Sequence, residues 1–400
     1  MIFKFILRKV RLLIEIIQLP IFIFICFISK LYPKKIKIGL GPSPLINNVY
    51  HKKALIDQGY SSETYVDDVW FITNDFDYKF IFKSKFLNRI FREIHIVFLF
   101  SIFRYECLYL YFNGGPLHKT ILLWRFEPKL YRIAGIRTVI MPYGGDVQDL
   151  TRTKNLLLRH RMAQDYPSHR FSKKNIEQKI DLWICGADHV ISGCDWVEYM
   201  NFWHTLTLGH FSIDLKYWKP SVKTRVYKYN QRPFRILHAP NHRAIKGTEF
   251  FVKTVNDLKK EGELIELVFV EKLPNNEIKK LIDEVDLIAD QLIFGWYAMF
   301  SLEGMSMKKP VICNIRDDLK QFYVDAGLIQ KNEIPLINCN QNNLKSTLLH
   351  LMKNSSELER IGNIGRDYVK RHHSIDAVGK TFNNINQSIG VSPDLSRNKI

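Results

Sequence analysis

The sequence predicts an α/β protein with two domains, each built around a doubly wound parallel sheet, and an apolar helix at the N-terminus. Its 400 residues are long for one core and suit two α/β domains. Short apolar runs alternate with helical segments, which is typical of βαβ units. A polar, basic and aromatic stretch at 216–232 interrupts this alternation. We therefore expect a first domain at 36–215, a linker at 216–232 and a second domain at 233–365.

The first domain contains five apolar runs of strand length. The clearest are continuous rather than alternating, as expected for strands buried on both faces of a parallel sheet. The predicted strands are 36–40, 69–73, 107–112, 137–141 and 189–192. Helices are predicted at 50–58 and 86–103.

The second domain repeats the pattern. Its predicted strands are 234–237, 266–270, 285–288, 310–313 and 335–338. Segment 248–260 places Phe251, Val255 and Leu258 at i, i+4 and i+7, which predicts a helix with one face on the core. Helices at 343–353 and 356–371 follow, and residues 366–400 are expected to form a closing helix and tail.

Residues 1–35 are the exception to a soluble pattern. The run 12–29 is almost all apolar, with Glu15, Gln18 and Pro20 inside it and basic residues on both sides. No small-residue cleavage site follows, which disfavours a signal peptide. A spanning helix, a helix lying in the cytoplasmic leaflet and a first helix packed on the domain remain open. The leaflet helix accounts for most of these residues, so we expect a peripheral or monotopic protein at the cytoplasmic face of a membrane.

The net charge predicts the class of partner, and the cysteine pattern predicts the redox compartment. Lys and Arg exceed Asp and Glu by 58 to 40, a net charge of +18, which favours anionic partners such as phosphorylated ligands or an anionic membrane surface. The six cysteines lack a C-x-x-C pair, which predicts free thiols in a reducing compartment. The basic residues are dispersed and carry no nucleic-acid-binding motif, so nucleic acid is not expected as a partner.

Polar residues follow the predicted strands where a ligand site is expected. Ligands of doubly wound sheets bind at the carboxyl ends of the strands. The polar segments at these positions are 41–44, 113–115, 144–146, 241–246 and 290–295. Two sheets facing one cleft would bring these loops together.

The most informative segments lie in the second domain. Arg243, Lys246 and Gly247 lie between an apolar strand and a helix, where cations and a helix N-terminus can hold a phosphate. Glu303 is a lone carboxylate on a short apolar helix before another strand. Together they predict a pocket for a nucleotide-linked, diphosphate-bearing small molecule.

From about 36 to 380 the chain resembles the retaining, family-4-like glycosyltransferases of the GT-B fold. The segments that carry the resemblance are 238–248, 290–295, 299–311, 365–374 and Pro142-Tyr-Gly-Gly-Asp-Val147. The resemblance implies two Rossmann-like domains facing a cleft. The second domain would bind a nucleotide-sugar donor, and the first domain would bind the acceptor.

The resemblance also implies roles for residues of the donor site. Lys246 would contact the donor diphosphate, with Arg243 as the second cation, although the commoner family spacing falls on Asn241. Glu303 matches the second glutamate of an E-x7-E pattern and would accept hydrogen bonds from ribose hydroxyls. The first glutamate of that pattern falls at Gly295, so either sugar contacts would come from backbone amides around 295–298 or donor handling differs.

For several of the remaining candidate site residues, more than one role stays open. Trp296 and Tyr297 would stack on base or sugar or pack in the core, and a helix N-terminus near Met299 would stabilise the leaving diphosphate. Asp146 would contact a substrate or cap its turn. The predicted donor-binding set also includes a glycine after the first strand, Gly41.

No metal is expected. The single Asp-x-Asp triplet, Asp75-Phe-Asp77, follows a first-domain strand and is assigned to a turn. Lys246, Arg243, Glu303 and Asp146 are the candidate catalytic residues.

The predicted function is metal-independent, retaining glycosyl transfer from a nucleotide sugar to a lipid-linked or polysaccharide acceptor. Such a reaction would belong to cell-surface glycan synthesis, for example of lipopolysaccharide or capsule. Two alternatives remain: another activity on the same fold, such as a sugar-nucleotide epimerase, and a non-catalytic protein that binds nucleic acid or membrane.

Overall fold

A computed structural model describes residues 2–81, 94–221 and 227–394. It contains two sheets in which every strand pair is parallel, with helices on their faces. The first sheet has seven strands in the order β3-β2-β1-β4-β5-β6-β7. These are β1 (Ile36–Leu40), β2 (Ser62–Val66), β3 (Tyr78–Lys79), β4 (Tyr105–Tyr111), β5 (Arg137–Met141), β6 (His189–Ser192) and β7 (Thr205–Leu206).

The second sheet has five strands in the order β12-β11-β10-β8-β9. These are β8 (Phe234–His238), β9 (Ile265–Phe269), β10 (Leu287–Gly295), β11 (Val311–Ile315) and β12 (Ile337–Asn338). Two parallel sheets with intervening helices confirm the predicted α/β class.

The described residues include helices at both ends and on both sheets. They are α1 (Ile2–Leu31), α2 (Ile46–Asp57), α3 (Ile94–Arg104), α4 (Glu127–Ile133), α5 (Leu156–Asp165), α6 (Lys173–Gly186), α7 (Arg243–Lys246), α8 (Thr248–Lys260), α9 (Asn275–Glu284), α10 (Met299–Ser306), α11 (Asp317–Asp325), α12 (Leu344–Lys353), α13 (Ser355–His372) and α14 (Ile375–Ser388). In α8, Phe251, Val255 and Leu258 are buried, as their spacing predicts.

Two predicted elements differ in the structure, and a third lies partly outside the described residues. Residues 69–73 form no strand; the second strand of the domain is β2, which pairs with β1 from Ile38–Ser62 onward. Residues 290–295, expected to be a loop, continue β10 instead. The predicted helix 86–103 is present as α3, and its residues 86–93 lie outside the described part of the chain.

Helix α1 packs lengthwise on the first domain, against α3 and α4. Its buried side chains, Glu15, Phe22, Cys26 and Ser29, recur at helical spacing and form one face. Both carboxylate oxygens of Glu15 accept hydrogen bonds from backbone N–H groups of residues 121–123, at 2.6 to 3.4 Å. A polar group inside an otherwise apolar helix is therefore used to fix that helix to the domain.

The opposite face of α1 is apolar and open. Its exposed large side chains are Phe5, Ile6, Leu7, Val10, Leu13, Ile16, Ile17, Ile21, Phe24, Phe27 and Leu31. The segment Phe5–Leu31 is long and apolar enough to cross a membrane by length and composition; an 18-residue part of it has a mean hydropathy of 2.5, and 22% of that part is buried.

Two helices cross between the halves of the chain. Helix α14 returns to the first domain, where the amide oxygen of Asn386 accepts a hydrogen bond from the Tyr109 hydroxyl at 2.8 Å. Helix α5 leaves the first domain, and its Leu158 and Met162 pack in the core of the second. Within the predicted linker 216–232, Trp218 is buried and donates to the Tyr50 hydroxyl at 2.8 Å, while residues 222–226 lie outside the described residues.

Candidate active site

Lys246 and Asp290 form the centre of a charged cluster in the second domain. Lys246 ends α7, just beyond the carboxyl end of β8, and Asp290 lies in the neighbouring strand β10. The Lys246 ammonium donates to Asp290 Oδ1, and Ser301 Oγ donates to Asp290 Oδ2 at 2.6 Å. The Asp290 side chain is fully buried, whereas Lys246 is 21% exposed. The lysine therefore faces the solvent side of a pair that Asp290 anchors.

Glu303 lies in α10 beside this cluster. It is buried, and Asn275 Nδ2 donates to its Oε1 at 2.7 Å. Burial, and to a smaller degree the nearby charge of Asp290, raise the pKa of Glu303 to about 8 against the lowering effects of Asn275 and Lys246. At neutral pH this carboxyl is therefore mostly protonated. It can both donate to and accept from a ligand hydroxyl.

The N-terminus of α7 already has an acidic partner from the first half of the chain. Asp165, the last residue of α5, accepts a hydrogen bond from the Ile245 backbone N–H at 2.8 Å. Beside it the Tyr166 hydroxyl contacts His242 Nε2. This contact belongs to the short helix α7, which precedes the predicted helix α8, and the local sequence around Lys246 does not reveal it.

Arg243 is held apart from the Lys246–Asp290 pair. Its guanidinium forms an ion pair with Glu271 at 3.2 Å and lies 4.9 Å from the ring centroid of Phe269. Both partners belong to the end of β9 and the turn after it. Asn241, the alternative by family spacing, is exposed in the turn before α7.

Gly295 ends β10 with a φ of +98°, a conformation that favours glycine. A Cβ at this position would lie 2.6 Å from Arg316 Cδ. Arg316 forms ion pairs with Glu198 of the first domain, at 2.5 Å, and with Asp318. The place where the resemblance puts a glutamate is therefore filled by an arginine that pairs across the domain boundary.

Trp296 and Tyr297 pack in the core between the domains. Both are about 1% exposed, and Trp296 Nε1 donates to the Leu208 carbonyl of the first domain at 2.8 Å. The Tyr297 hydroxyl contacts Tyr368 and His373. Neither ring face is accessible to a base or a sugar, which corrects the predicted stacking role in favour of core packing.

Asp146 joins two strand ends of the first domain. Its carboxylate accepts backbone N–H groups of Phe112, Tyr143 and Gly144, each at 3.0 Å. It is 2% exposed, and burial raises its pKa to about 7 despite the three amide donors. The geometry matches the turn-capping alternative, and a catalytic role for Asp146 stays a prediction.

The remaining candidates are backbone positions near the strand ends. Gly41 follows β1. A Cβ at this position would lie 2.0 Å from the Tyr65 carbonyl oxygen, so the close approach of the neighbouring strand β2 requires glycine. Gly247 joins α7 to α8 with a φ of +74°. Met299 is the first residue of α10, as expected for a helix N-terminus.

Comparison with known proteins rests on structure alone. No family model and no curated protein matches the sequence. Sucrose-phosphate synthase from Thermosynechococcus elongatus superposes with a TM-score of 0.57 at 14% identity, covering 89% of this chain and 99% of that one. Anabaena HepE in complex with UDP-glucose gives a TM-score of 0.58 at 12% identity, covering 88% of this chain and 100% of that one. The chain has the GT-B fold.

In this GT-B fold the structure brings together some predicted site residues and separates others. Lys246 and Glu303 lie in one cluster because they follow neighbouring strand ends. Arg243 contacts the end of β9, Trp296 and Tyr297 pack in the core, and Asp146 lies in the first domain. Four partners were not predicted individually: Asp290 and Ser301 at Lys246, Asp165 at the N-terminus of α7, and Asn275 at Glu303. Among these, Asp290 was within a predicted strand-end segment, which was the signal that could have found it.

Proposed function

We propose that this protein is a glycosyltransferase that binds a nucleoside diphosphate sugar beside Lys246 and Glu303. The observation that carries the proposal is the cluster of Lys246, Asp290, Ser301 and Glu303 at the strand ends of the second domain of a GT-B fold. An ammonium group has three donors. Lys246 keeps one on Asp290 and can direct the others to diphosphate oxygens.

The proposed reaction breaks the bond between the sugar C1 and the diphosphate oxygen and forms a bond from C1 to an acceptor hydroxyl oxygen. The leaving diphosphate gains negative charge, which Lys246 and the N-terminus of α10 near Met299 stabilise. The proton of the acceptor hydroxyl leaves with the diphosphate. Glu303 holds the ribose, and retention of configuration is part of the proposal through the resemblance.

Anabaena HepE is described in complexes with UDP and UDP-glucose, so uridine diphosphate sugars are the first donors to test. Thermal stabilisation by UDP-, GDP- and CDP-sugars would be compared in the parent, Lys246→Ala and Glu303→Gln. Lys253→Ala, an exposed lysine on α8, is the matched control. The double variant K246A/D290N removes the buried carboxylate that the single change leaves unpaired.

We expect one nucleotide class to stabilise the parent and Lys253→Ala, and to stabilise the site variants much less. If no nucleotide stabilises the parent, or if all variants respond alike, the donor site is wrongly placed. Conversion of the donor to an isomeric nucleotide sugar without an acceptor would favour the epimerase alternative.

We also propose that the acceptor is lipid-linked or a polysaccharide and that α1 holds the protein at the cytoplasmic face of a membrane, as a monotopic helix. The open apolar face of α1 and the attachment of its other face through Glu15 support a helix lying on the surface. Removing the helix would expose the core that it covers. Ile17→Glu with Phe24→Glu is therefore the sharper change, with Ile364→Glu, an exposed apolar residue on α13, as control.

Binding to vesicles of phosphatidylglycerol and phosphatidylcholine would be measured by sedimentation. We expect the α1 double variant to stay in the supernatant and the control to sediment with the parent. Sedimentation of the α1 variant with the vesicles would refute membrane binding through this face.

A further inference from the structure

A cavity of about 780 Å³ lies at the boundary between the two domains, outside the charged cluster. The first domain contributes α2 and the loop at 67–77, and the second contributes the start of α9. Trp70 and Phe71 line the cavity although they are 42% and 49% exposed. Large aromatic side chains half open to solvent at the mouth of a cavity are typical of a ligand-binding surface.

One residue that lines this cavity is bonded to Glu303. Asn275 is a lining residue, and its side-chain amide donates to Glu303 Oε1 at 2.7 Å. The Asn275 backbone N–H also donates to the Ile72 carbonyl at 3.4 Å, which joins the aromatic loop to α9. A ligand in the cavity would therefore approach the same carboxyl group that borders the proposed donor site.

Asp67, at the start of the same loop, is linked to α1 through Lys119. Arg11 Nη2 donates to the Lys119 carbonyl at 2.6 Å, and the Lys119 ammonium pairs with Asp67. Asp67 precedes Trp70 by three residues. The loop that carries Trp70 and Phe71 is thus linked to α1 through Lys119.

We propose that this cavity receives an acceptor carried on an apolar tail, a glycolipid that enters from the membrane at α1. Trp70 and Phe71 contact the tail, and the sugar lies at Asn275, the lining residue that is bonded to Glu303. The inference rests on the proposed function and selects the lipid-linked acceptor over a free polysaccharide. It is argued from two links of one loop: Asp67 pairs with Lys119, whose carbonyl accepts from Arg11 of α1, and the Ile72 carbonyl accepts from Asn275, which is bonded to Glu303.

The first test uses glucose and the octyl and decyl β-glucosides, below their micelle concentrations, as probes in calorimetric titrations. Each methylene that becomes buried should increase affinity about fourfold. The parent and Phe171→Ala, which removes an 88% exposed aromatic outside the cavity, should show this dependence on chain length. Trp70→Ala combined with Phe71→Ala should lose it while keeping nucleotide binding.

A chain-length dependence that survives in the double variant would overturn the proposal, as would equal binding of glucose and decyl glucoside by the parent. Nucleotide binding separates this result from failure of the proposed function. A parent that binds nucleotide but shows no dependence on alkyl-chain length refutes only the acceptor cavity, whereas a parent that binds no nucleotide refutes the donor site.

The second test places Trp70 relative to a membrane. Vesicles of phosphatidylglycerol and phosphatidylcholine with brominated acyl chains quench tryptophans at the acyl boundary, and Trp70→Phe isolates the contribution of this residue. We expect the fluorescence difference between parent and Trp70→Phe to disappear on binding to brominated vesicles and to persist with unbrominated ones. An unchanged difference in vesicle-bound protein would refute entry of the acceptor from the membrane.

Discussion

Replacing Glu303 with glutamine should remove a loss of stability that the parent undergoes as pH rises. Burial raises the pKa of this carboxyl from 4.5 to about 8 in the folded state. Between these values the folded protein holds a proton that the unfolded chain releases, so the free energy of unfolding falls as pH rises through this window. Above about pH 8 both states are ionised and the loss is complete. The whole shift corresponds to roughly 5 kcal/mol, with a slope of about 1.4 kcal/mol per pH unit.

Urea unfolding of the parent and Glu303→Gln at pH 5, 6, 7 and 8 would measure this effect. Glutamine can still accept from Asn275, so the two proteins should be closest in stability at pH 5. The variant should gain relative to the parent at each step upward. Other buried acids, such as Glu127 and Asp195, whose pKa values burial raises to about 7, are common to both proteins and cancel.

Glu277→Gln, an exposed residue on α9, is the matched control and should run parallel to the parent. Parallel curves for Glu303→Gln and the parent across the whole range would refute the assignment of a protonated carboxyl at this position.

Three further predictions concern stability and follow from contacts described above. Gly295→Glu should destabilise the fold by about 1–3 kcal/mol more than Gly262→Ala in urea unfolding. Both positions have a positive φ, but only a side chain at position 295 would meet a neighbouring side chain, that of Arg316. Equal losses would show that Arg316 moves aside at no cost. Glu15→Gln should cost about 1–3 kcal/mol, since the backbone amides at 121–123 lose a charged acceptor; an unchanged urea midpoint would contradict the anchoring role. Lys246→Ala should lower the free energy of unfolding by about 3–5 kcal/mol, because it leaves Asp290 buried and unpaired. Adding Asp290→Asn should recover part of this loss. Equal stability of the single and double variants would show that the two residues are not coupled.

Most of the fold could be predicted because strands buried on both faces of a parallel sheet are recognisable as continuous apolar runs in the sequence. Runs such as 107–112 and 137–141 are continuously apolar and became β4 and β5. The error at 69–73 has the same cause. This segment is apolar and resembles a strand, but Trp70 and Phe71 lie half exposed at the cavity mouth. The true strand β2 mixes polar and aromatic residues because little of the sheet lies beyond it, only the two residues of β3.

The candidate site was predictable only where its residues follow strand ends in the chain. Lys246 and Glu303 meet because β8 and β10 are neighbours in the sheet, and topology rules anticipate such a meeting. The partners that decide the charge of the site come from elsewhere. Asp165 arrives from the first half through α5, and Asn275 arrives from α9. Such side-chain contacts depend on how helices pack, and no local pattern encodes them.

Charge balance at the site gives these contacts a chemical consequence. Lys246 pairs with Asp290, Arg243 with Glu271 and Arg316 with Glu198, so the net charge of +18 is not concentrated at these three cations. An incoming diphosphate must share Lys246 with a buried carboxylate. It would also meet added repulsion if Glu303 were ionised, because these charges act in a region of low dielectric constant. The raised pKa of Glu303 keeps that carboxyl neutral at pH 7, and a bound diphosphate would favour the neutral form further. Diphosphate binding at Lys246 is therefore consistent with a neutral Glu303, because an ionised carboxyl at this position would add a second negative charge beside the Lys246–Asp290 pair.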